Sequence, residues 1–129
     1  MKRWQVIILI LLVILTGFII AGSQLIKKMN ADLERLNTVE LEDIDLSTLE
    51  DGTYTGTYQA FPIDVEVIVT IDDHRITEIE ITKHINGQGS EGEMVILDVI
   101  DTQSLDVDLI TGATYSSKVI LLAIEDALT

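Results

Sequence analysis

The chain has 129 residues, room for one domain beside a membrane segment, and its lack of cysteine excludes disulfides, cysteine nucleophiles and thiolate metal sites. All 22 acidic residues follow residue 31, where only four basic residues stand, so this part of the chain carries a net charge of −18. Such a charge argues against nucleic-acid binding, which needs clustered Lys and Arg, and fits either a solvated acidic surface or the docking of cationic partners.

The N-terminal apolar stretch is long enough to cross a membrane. Trp4 to Ile26 covers 23 residues without a charge, and as a helix this stretch is about 34 Å long, enough for the hydrocarbon core of a bilayer. We therefore predict an N-terminal membrane anchor over residues 1–28, inserted through residues 4–26. Ala21-Gly22-Ser23 is an alternative cleavage site for a signal peptide, but signal peptides have shorter apolar regions, so we favour an uncleaved anchor.

Positive charges flank both ends of this stretch and decide its expected orientation. Lys2, Arg3 and the terminal amine precede it, and Lys27 and Lys28 follow it. The N-terminal side has a slight excess, and the more positive flank stays in the cytoplasm. We expect a single-pass protein of the cell membrane with an extracytoplasmic C-terminal domain.

Residues 29–50 are predicted to form an acidic juxtamembrane linker that begins as a short helix. Asp43-Ile44-Asp45 resembles the start of a calcium loop. The sixth position of that loop needs glycine and is Thr48, and the twelfth needs glutamate and is Tyr54. We therefore do not expect calcium binding there.

Residues 51–129 have the pattern of a small α+β domain. Thr53–Tyr58 and Ile63–Ile71 alternate as strands do, and a third strand with Ile79 and Ile81 follows a turn at 72–74. Short connections predict an antiparallel β-meander with one buried face.

Two helices are expected after the meander. A glycine-containing loop is predicted over 83–92, then a short helix over 93–101 with Met94, Leu97 and Ile100 turned inward. A second helix is predicted over 116–128. Strands followed by helices favour the α+β class.

The segment from Asp108 to Ser117 is the one with the chemistry of a binding site. Its small and hydroxyl-bearing residues enter the N-terminus of the last helix, where free N–H groups and the helix dipole favour a phosphate. Thr and Ser are also ordinary N-caps, and Gly is ordinary in a turn. Local physics alone leaves both interpretations open.

The sequence Asp-x-x-Thr-Gly-Ala-Thr at Asp108–Thr114 resembles the flavinylation motif of the FMN-binding domain family. That family includes the C subunit of the sodium-pumping NADH:quinone reductase and the G subunit of the RNF complex. The resemblance covers about residues 51–128. Asp51–Gly56 is similar to the opening strand of the family's domain. Ile76–Ile79, Lys83-His84 with the glycine loop, and Gln103–Asp108 follow in the family's order.

This resemblance implies an electron carrier with covalent FMN rather than an enzyme with its own substrate. In the family, a flavin transferase uses FAD to join FMN through its phosphate to the last threonine of the motif, which is Thr114 here. Asp108, Thr111, Gly112 and Ala113 match positions that the transferase recognises or that shape the turn. The implied partners are the transferase and a membrane reductase or quinone-linked electron donor, and the acceptor is left open.

Several further residues are candidates for contact with the flavin. His84, Gly87, Gln88 and Gly89 could line it, or could form only a flexible loop. Ser116 and Ser117 are expected to be helix caps rather than alternative attachment points. Two distant histidines and no cysteine do not predict a metal site, and no Ser–His–Asp arrangement is evident.

Two other functions compete with the carrier. An anchored module that binds a ligand or partner non-covalently, or acts as an inhibitor at the cell surface, would also suit an acidic domain. A flavin reductase is less favoured, because no glycine-rich nicotinamide-binding turn is present.

Overall fold

The computed structural model describes residues 1–85 and 87–129, with only the backbone given for residues 87–89. Its elements are, in chain order, helix α1 (Arg3–Thr38), strands β1 (Gly52–Ala60), β2 (Ile63–Asp72) and β3 (Arg75–Ile85), and helices α2 (Val95–Thr102) and α3 (Thr114–Leu128). Short 3₁₀ helices cover Leu46–Thr48 and Gly87–Met94. The predicted α+β class, with an apolar helix before a sheet and two helices after it, is confirmed.

Helix α1 is one continuous helix of 36 residues, not an anchor followed by a separate short helix. Its apolar part has a mean hydropathy of 2.9 over the best window and none of that window is buried, so it has the length and composition of a membrane-spanning helix. No Gly or Pro interrupts residues 27–38, and good helix formers such as Lys and Leu continue the helix.

The C-terminal end of α1 is attached to the folded domain. Leu36 is 1% exposed and belongs to the hydrophobic core. The N–H of Phe61, in the turn between β1 and β2, donates to Asp32 Oδ2 at 3.2 Å. The ammonium of Lys28 lies 5.2 Å from the centre of the Phe61 ring. The domain is therefore held against the helix that leaves the membrane.

The three strands form an antiparallel meander in the order β1-β2-β3, as predicted. Alternate residues of β2 point to one face and are fully buried, namely Val65, Val67, Val69 and Ile71. β3 continues to Ile85, further than predicted, because Lys83 and His84 still pair with β2 opposite Glu66 and Val65. These two residues lie in a strand and not in the expected loop.

Helix α3 covers the buried face of the sheet and supplies most of the helical core. Its buried residues are Ser116, Ser117, Val119, Ile120, Leu121, Leu122, Ala123, Ile124 and Leu128. The contact with β1 is close: a Cβ at Gly56 would lie 2.0 Å from the carbonyl oxygen of Ala123. Glycine in β1 thus permits the sheet and α3 to touch through their backbones.

Of the three residues predicted to face inward at α2, only Ile100 packs against the core, where it is partly buried. Val95 and Val99 are fully buried, whereas Met94 and Leu97 are 59% and 60% exposed. Five of the eight residues of this short helix are apolar, so more than one face has helical spacing. Packing against the sheet and α3 selects the Val95 face.

The segment between α1 and β1 packs on the domain. Leu41, Ile44, Leu46 and Leu49 contact the core. Asp43 accepts hydrogen bonds from the Leu105 N–H at 3.2 Å and the Ser104 hydroxyl at 3.0 Å. These bonds, chiefly the one from Leu105, lower the pKa of Asp43.

Candidate functional site

The Asp108–Thr114 motif ends in a tight turn at the start of α3. The Ala113 N–H donates to the Ile110 carbonyl at 3.0 Å, and Gly112 has a φ of +83°, a conformation that favours glycine. The helix then begins at Thr114, two residues earlier than predicted. Thr114 is therefore the first residue of the helix and not part of a preceding loop.

Ser116 and Ser117 are both buried inside the first turn of α3, so the expectation that they cap the helix is wrong. The Ser117 hydroxyl donates to the Ala113 carbonyl and accepts the Ile110 N–H at 3.1 Å. Through these two hydrogen bonds the Ser117 side chain joins both ends of the turn. The N-cap position is Ala113, whose side chain has no polar atom to offer.

This geometry leaves hydrogen-bond donors at the helix start. The first intrahelical bond runs from the Ser117 N–H to the Ala113 carbonyl at 2.9 Å, so the N–H groups of Thr114, Tyr115 and Ser116 precede it. Among the residues whose side chains are described, none caps them. The Thr114 side chain is exposed beside them. The helix start thus combines a free hydroxyl with donors and a dipole that favour an anion.

The other motif residues precede Thr114 in the chain, and three of them lie at the surface while Ala113 is buried. Asp108, Thr111 and Gly112 are exposed, and Ala113 is 6% exposed. Asp108 also borders a cleft of about 310 Å³ between the end of α2 and residues 106–108. An exposed motif is open to a modifying enzyme.

His84 is brought to the same helix start from the end of β3. Its Nε2 lies 3.3 Å from Ser116 Oγ, and its Nδ1 lies 2.9 Å from Glu93 Oε1. A carboxylate only accepts, so in the neutral imidazole Nδ1 donates to Glu93 and Nε2 accepts the Ser116 hydroxyl. This Ser–His–Glu line was not predicted, because Ser116 is 32 residues from His84 in the chain.

The Ser–His–Glu line connects elements but offers no reachable nucleophile. Ser116 is 3% exposed and the His84 side chain 5% exposed, so a substrate carbonyl has no access to the hydroxyl. A nucleophilic serine must be reachable by its substrate. The three residues instead fasten β3 and the 87–94 helix to the first turn of α3.

The 87–94 helix contacts the start of α3 directly. A Cβ at Gly92 would lie 3.0 Å from the Ser117 nitrogen and 3.1 Å from Ser116 Cβ. Three predicted flavin-lining residues, Gly87, Gln88 and Gly89, lie outside the residues whose side chains the structure describes. Whether they reach a ligand stays a prediction.

Lys118 is a cation near the start of α3 that was not among the predicted site residues. It is half-buried and follows Thr114 by four residues, so the two side chains share one face of α3. Lys83, by contrast, is committed to Asp64 at 2.7 Å, and this hydrogen bond and charge raise the pKa of Lys83. The i, i+4 spacing from the motif threonine was the signal that could have identified Lys118.

The described residues at the start of α3 present an exposed hydroxyl and N–H donors that suit an anion. Among residues 1–85 and 90–129, no three His, Asp or Glu side chains come together as metal ligands. The donor set suits a phosphate group and not a metal ion.

Comparison with known proteins identifies the domain. An uncharacterized protein of Treponema pallidum (strain Nichols) is 25% identical over 116 residues, which cover 87% of this chain and 32% of that protein. This chain thus spans about a third of the relative's length. The family model of the FMN-binding domain matches residues 61–129, which include His84, the motif and all of α3. The chain therefore belongs to the FMN-binding domain family.

Proposed function

We propose that this protein is a single-pass, membrane-anchored electron carrier of the extracytoplasmic side, with FMN joined by a phosphoester bond to Thr114 Oγ1. The observation that carries the proposal is the exposed Thr114 side chain at the first residue of α3, beside three uncapped N–H groups, within a domain of the FMN-binding family. Membership of the family supports FMN, and the covalent bond and the carrier role are inferred.

The residues at the helix start fit a phosphoester. A diester keeps one negative charge, which the N–H groups of Thr114, Tyr115 and Ser116 and the helix dipole stabilise. This help matters because the net charge of the part of the chain after residue 31 opposes an added anion. Gly112 and Ala113 have no bulky side chain to shield the Thr114 hydroxyl.

Attachment requires a separate flavin transferase with FAD as co-substrate. In that step a phosphoester bond to Thr114 Oγ1 forms, the pyrophosphate bond of FAD breaks, AMP leaves and the threonine proton goes to a base of the transferase. The exposure of Asp108, Thr111 and Gly112 supports recognition of the motif by such an enzyme. When bound, FMN supplies reversible transfer of one or two electrons.

A carrier explains the molecule better than an enzyme does. Ser116 and His84 of the Ser–His–Glu line are buried, and the described residues form no metal cluster. The anchor favours a donor in the same membrane, such as a reductase or a quinone-linked enzyme, and the acidic surface favours a partner with a basic docking face.

Covalent attachment is tested with the full chain coexpressed with a flavin transferase and an export route. On a denaturing gel we expect a fluorescent band, and intact mass should show one added FMN on the peptide that contains Thr114. Thr114→Ala should lose both signals, whereas Thr55→Ala, which removes an exposed hydroxyl from β1, should keep them. An unlabelled wild-type band in the presence of active transferase refutes the covalent assignment.

Orientation is tested by using the natural absence of cysteine. Thr129→Cys places a single thiol at the end of the domain. A membrane-impermeant maleimide should label this variant in intact cells if the domain is extracytoplasmic. Labelling only after the cells are broken would place the domain on the other side.

A further inference from the structure

A cleft of about 640 Å³ lies between the segment that leaves α1 and the segment that leads into the motif. We call residues 37–43 the juxtamembrane wall and residues 105–109 the motif wall. Lys118 of α3 closes one side. The lining residues are Asn37, Val39, Glu40, Leu41, Asp43, Leu105, Asp106, Val107, Leu109 and Lys118.

The cleft has the size of a small-molecule site, and its lining is half aliphatic and half polar or charged. Pockets for cofactors and drug-sized ligands occupy roughly 300–1,000 Å³ and are mostly apolar with a few polar groups. Here, five aliphatic side chains from the two walls supply the apolar surface. Glu40 and Asp106 are exposed acids that disfavour a free anion, and Asp43 is occupied by the Ser104 and Leu105 hydrogen bonds. A large, flat, uncharged ring system is the chemistry that such a cleft accepts.

Lys118 connects this cleft to the attachment residue. Residues four apart on a helix have Cβ atoms about 5–6 Å from each other, so Lys118 lies one turn beyond Thr114 on the same face. Within the described residues, its ammonium has no carboxylate within 4 Å. The Lys118 ammonium, which forms no ion pair within the described residues, is therefore within reach of a phosphoester on Thr114.

Half of the cleft belongs to the chain outside the family domain. The family match begins at residue 61, whereas the juxtamembrane wall comprises residues 37–43. This wall is fixed in place, since Asp43 bonds to the motif wall and Leu36 is buried in the core. Helix α1, which contains the membrane anchor, thus ends at the cleft itself.

We propose that the juxtamembrane wall completes the flavin site. The isoalloxazine ring of FMN on Thr114 lodges between the juxtamembrane wall and the motif wall, and the Lys118 ammonium contacts the phosphoester. This inference rests on the proposed function. It adds the location of the ring, the cation at the phosphate and a binding role for residues 37–43.

The test measures exposure of the ring in the full, flavinylated chain in detergent micelles. Quenching of flavin fluorescence by acrylamide, a neutral quencher, reports how far solvent reaches the ring, and anisotropy reports its freedom. Leu41→Gln replaces an apolar side chain of the juxtamembrane wall and should raise the quenching constant several-fold and lower the anisotropy. The matched control is Leu97→Gln, which alters an exposed leucine of α2 away from the cleft and should change neither.

A second pair of variants does not depend on the packing of Leu41. Lys118→Gln should increase quenching and mobility of the ring, and Lys118→Arg should restore the wild-type values because a cation remains. Thermal unfolding followed by circular dichroism identifies any variant that no longer folds. Such a variant is replaced by Val39→Gln.

The outcomes separate the two hypotheses. If the gel shows no covalent flavin in the wild type, the proposed function fails first. If flavin is attached but Leu41→Gln and Lys118→Gln both quench like the wild type, the ring does not occupy the cleft. Increased quenching in Leu97→Gln alone would place the ring on α2 and likewise overturn the inference.

Discussion

Substitution of Gly56 by alanine is the most informative perturbation of the fold. A Cβ there would lie 2.0 Å from the carbonyl oxygen of Ala123, 2.4 Å from the nitrogen of Ala127 and 2.7 Å from its Cβ. Ordinary contact begins near 3.4 Å, so α3 must retreat from β1 by about 1.4 Å. Two of the three opposing atoms belong to the backbone, so no change of side-chain rotamer can relieve the clash.

The expected cost follows from this geometry. Overpacked cores lose about 1–3 kcal/mol, and a clash with backbone belongs at the upper end of that range. For a domain of this size, 1 kcal/mol shifts the thermal midpoint by roughly 4–8 °C. We therefore expect Gly56→Ala to lower the midpoint by about 12–24 °C. Because α3 begins with Thr114, covalent flavin per molecule should also fall.

The assay is thermal unfolding by circular dichroism in micelles, followed by in-gel flavin fluorescence. Thr55→Ala is the control, since it changes the adjacent, exposed residue of β1 and should cost at most about 1 kcal/mol. A Gly56→Ala protein that melts within a few degrees of Thr55→Ala would show that β1 and α3 are not in backbone contact, and the reasoning would fail.

Three further predictions concern single side chains. Ser117→Ala leaves the Ile110 N–H without its acceptor and should cost about 1–3 kcal/mol in thermal unfolding; an unchanged midpoint would contradict the role of Ser117 in the turn. Gln103 has a φ of +57°. Its side-chain amide accepts a hydrogen bond from the Ile76 N–H and donates one to the Ile76 carbonyl. Gln103→Gly keeps that conformation, so it should be more stable than Gln103→Ala by about 1 kcal/mol, and equal midpoints would refute backbone strain there. Asp43 has a folded pKa below its ordinary value, so its stabilising contribution is present above the unfolded pKa of 3.8 and is lost as pH falls through the folded pKa. Asp43→Asn should therefore melt below the wild type at pH 7, with the gap narrowing below pH 3.8; a constant gap would contradict this linkage.

The sheet was predictable because its signal is local. The alternation of apolar residues in Ile63–Ile71 and the turn at 72–74 define two strands and their connection without any distant contact. Gly56 carried a signal as well, since glycine within a strand indicates close approach of another backbone. The partner in that approach, α3, is nearly 70 residues further on and was not readable.

The start of α3 and the orientation of α2 were not predictable from local patterns. Ser and Thr are common both as caps and in the first helical turn, and only the burial of Ser117 under the turn decides between the two. In α2, Leu97 and Val99 are equally apolar, so the choice of the buried face comes from the neighbouring elements. Local propensity gives way to tertiary packing in both places.

The candidate site was partly readable. The sequence predicts Thr114 and its neighbours as the attachment site because the seven residues of the motif are contiguous, and this assignment stays a prediction. It missed Glu93, and it gave no sign that His84 and Ser116, 32 residues apart, would meet. Contacts of this length depend on how β3 and α3 are placed by the core, which no short window of sequence encodes.

The unbroken course of α1 determines how the redox group could meet its partners. From Ile26 to Thr38 the helix extends about 18 Å beyond the apolar stretch, and its end is fastened to the domain through Leu36 and Asp32. If the chain carries flavin on Thr114 as proposed, the flavin stays at a fixed height above the lipid and moves only as the helix itself diffuses or rotates. Its encounters are then confined to two dimensions, and a donor or acceptor must present its own cofactor at the matching height.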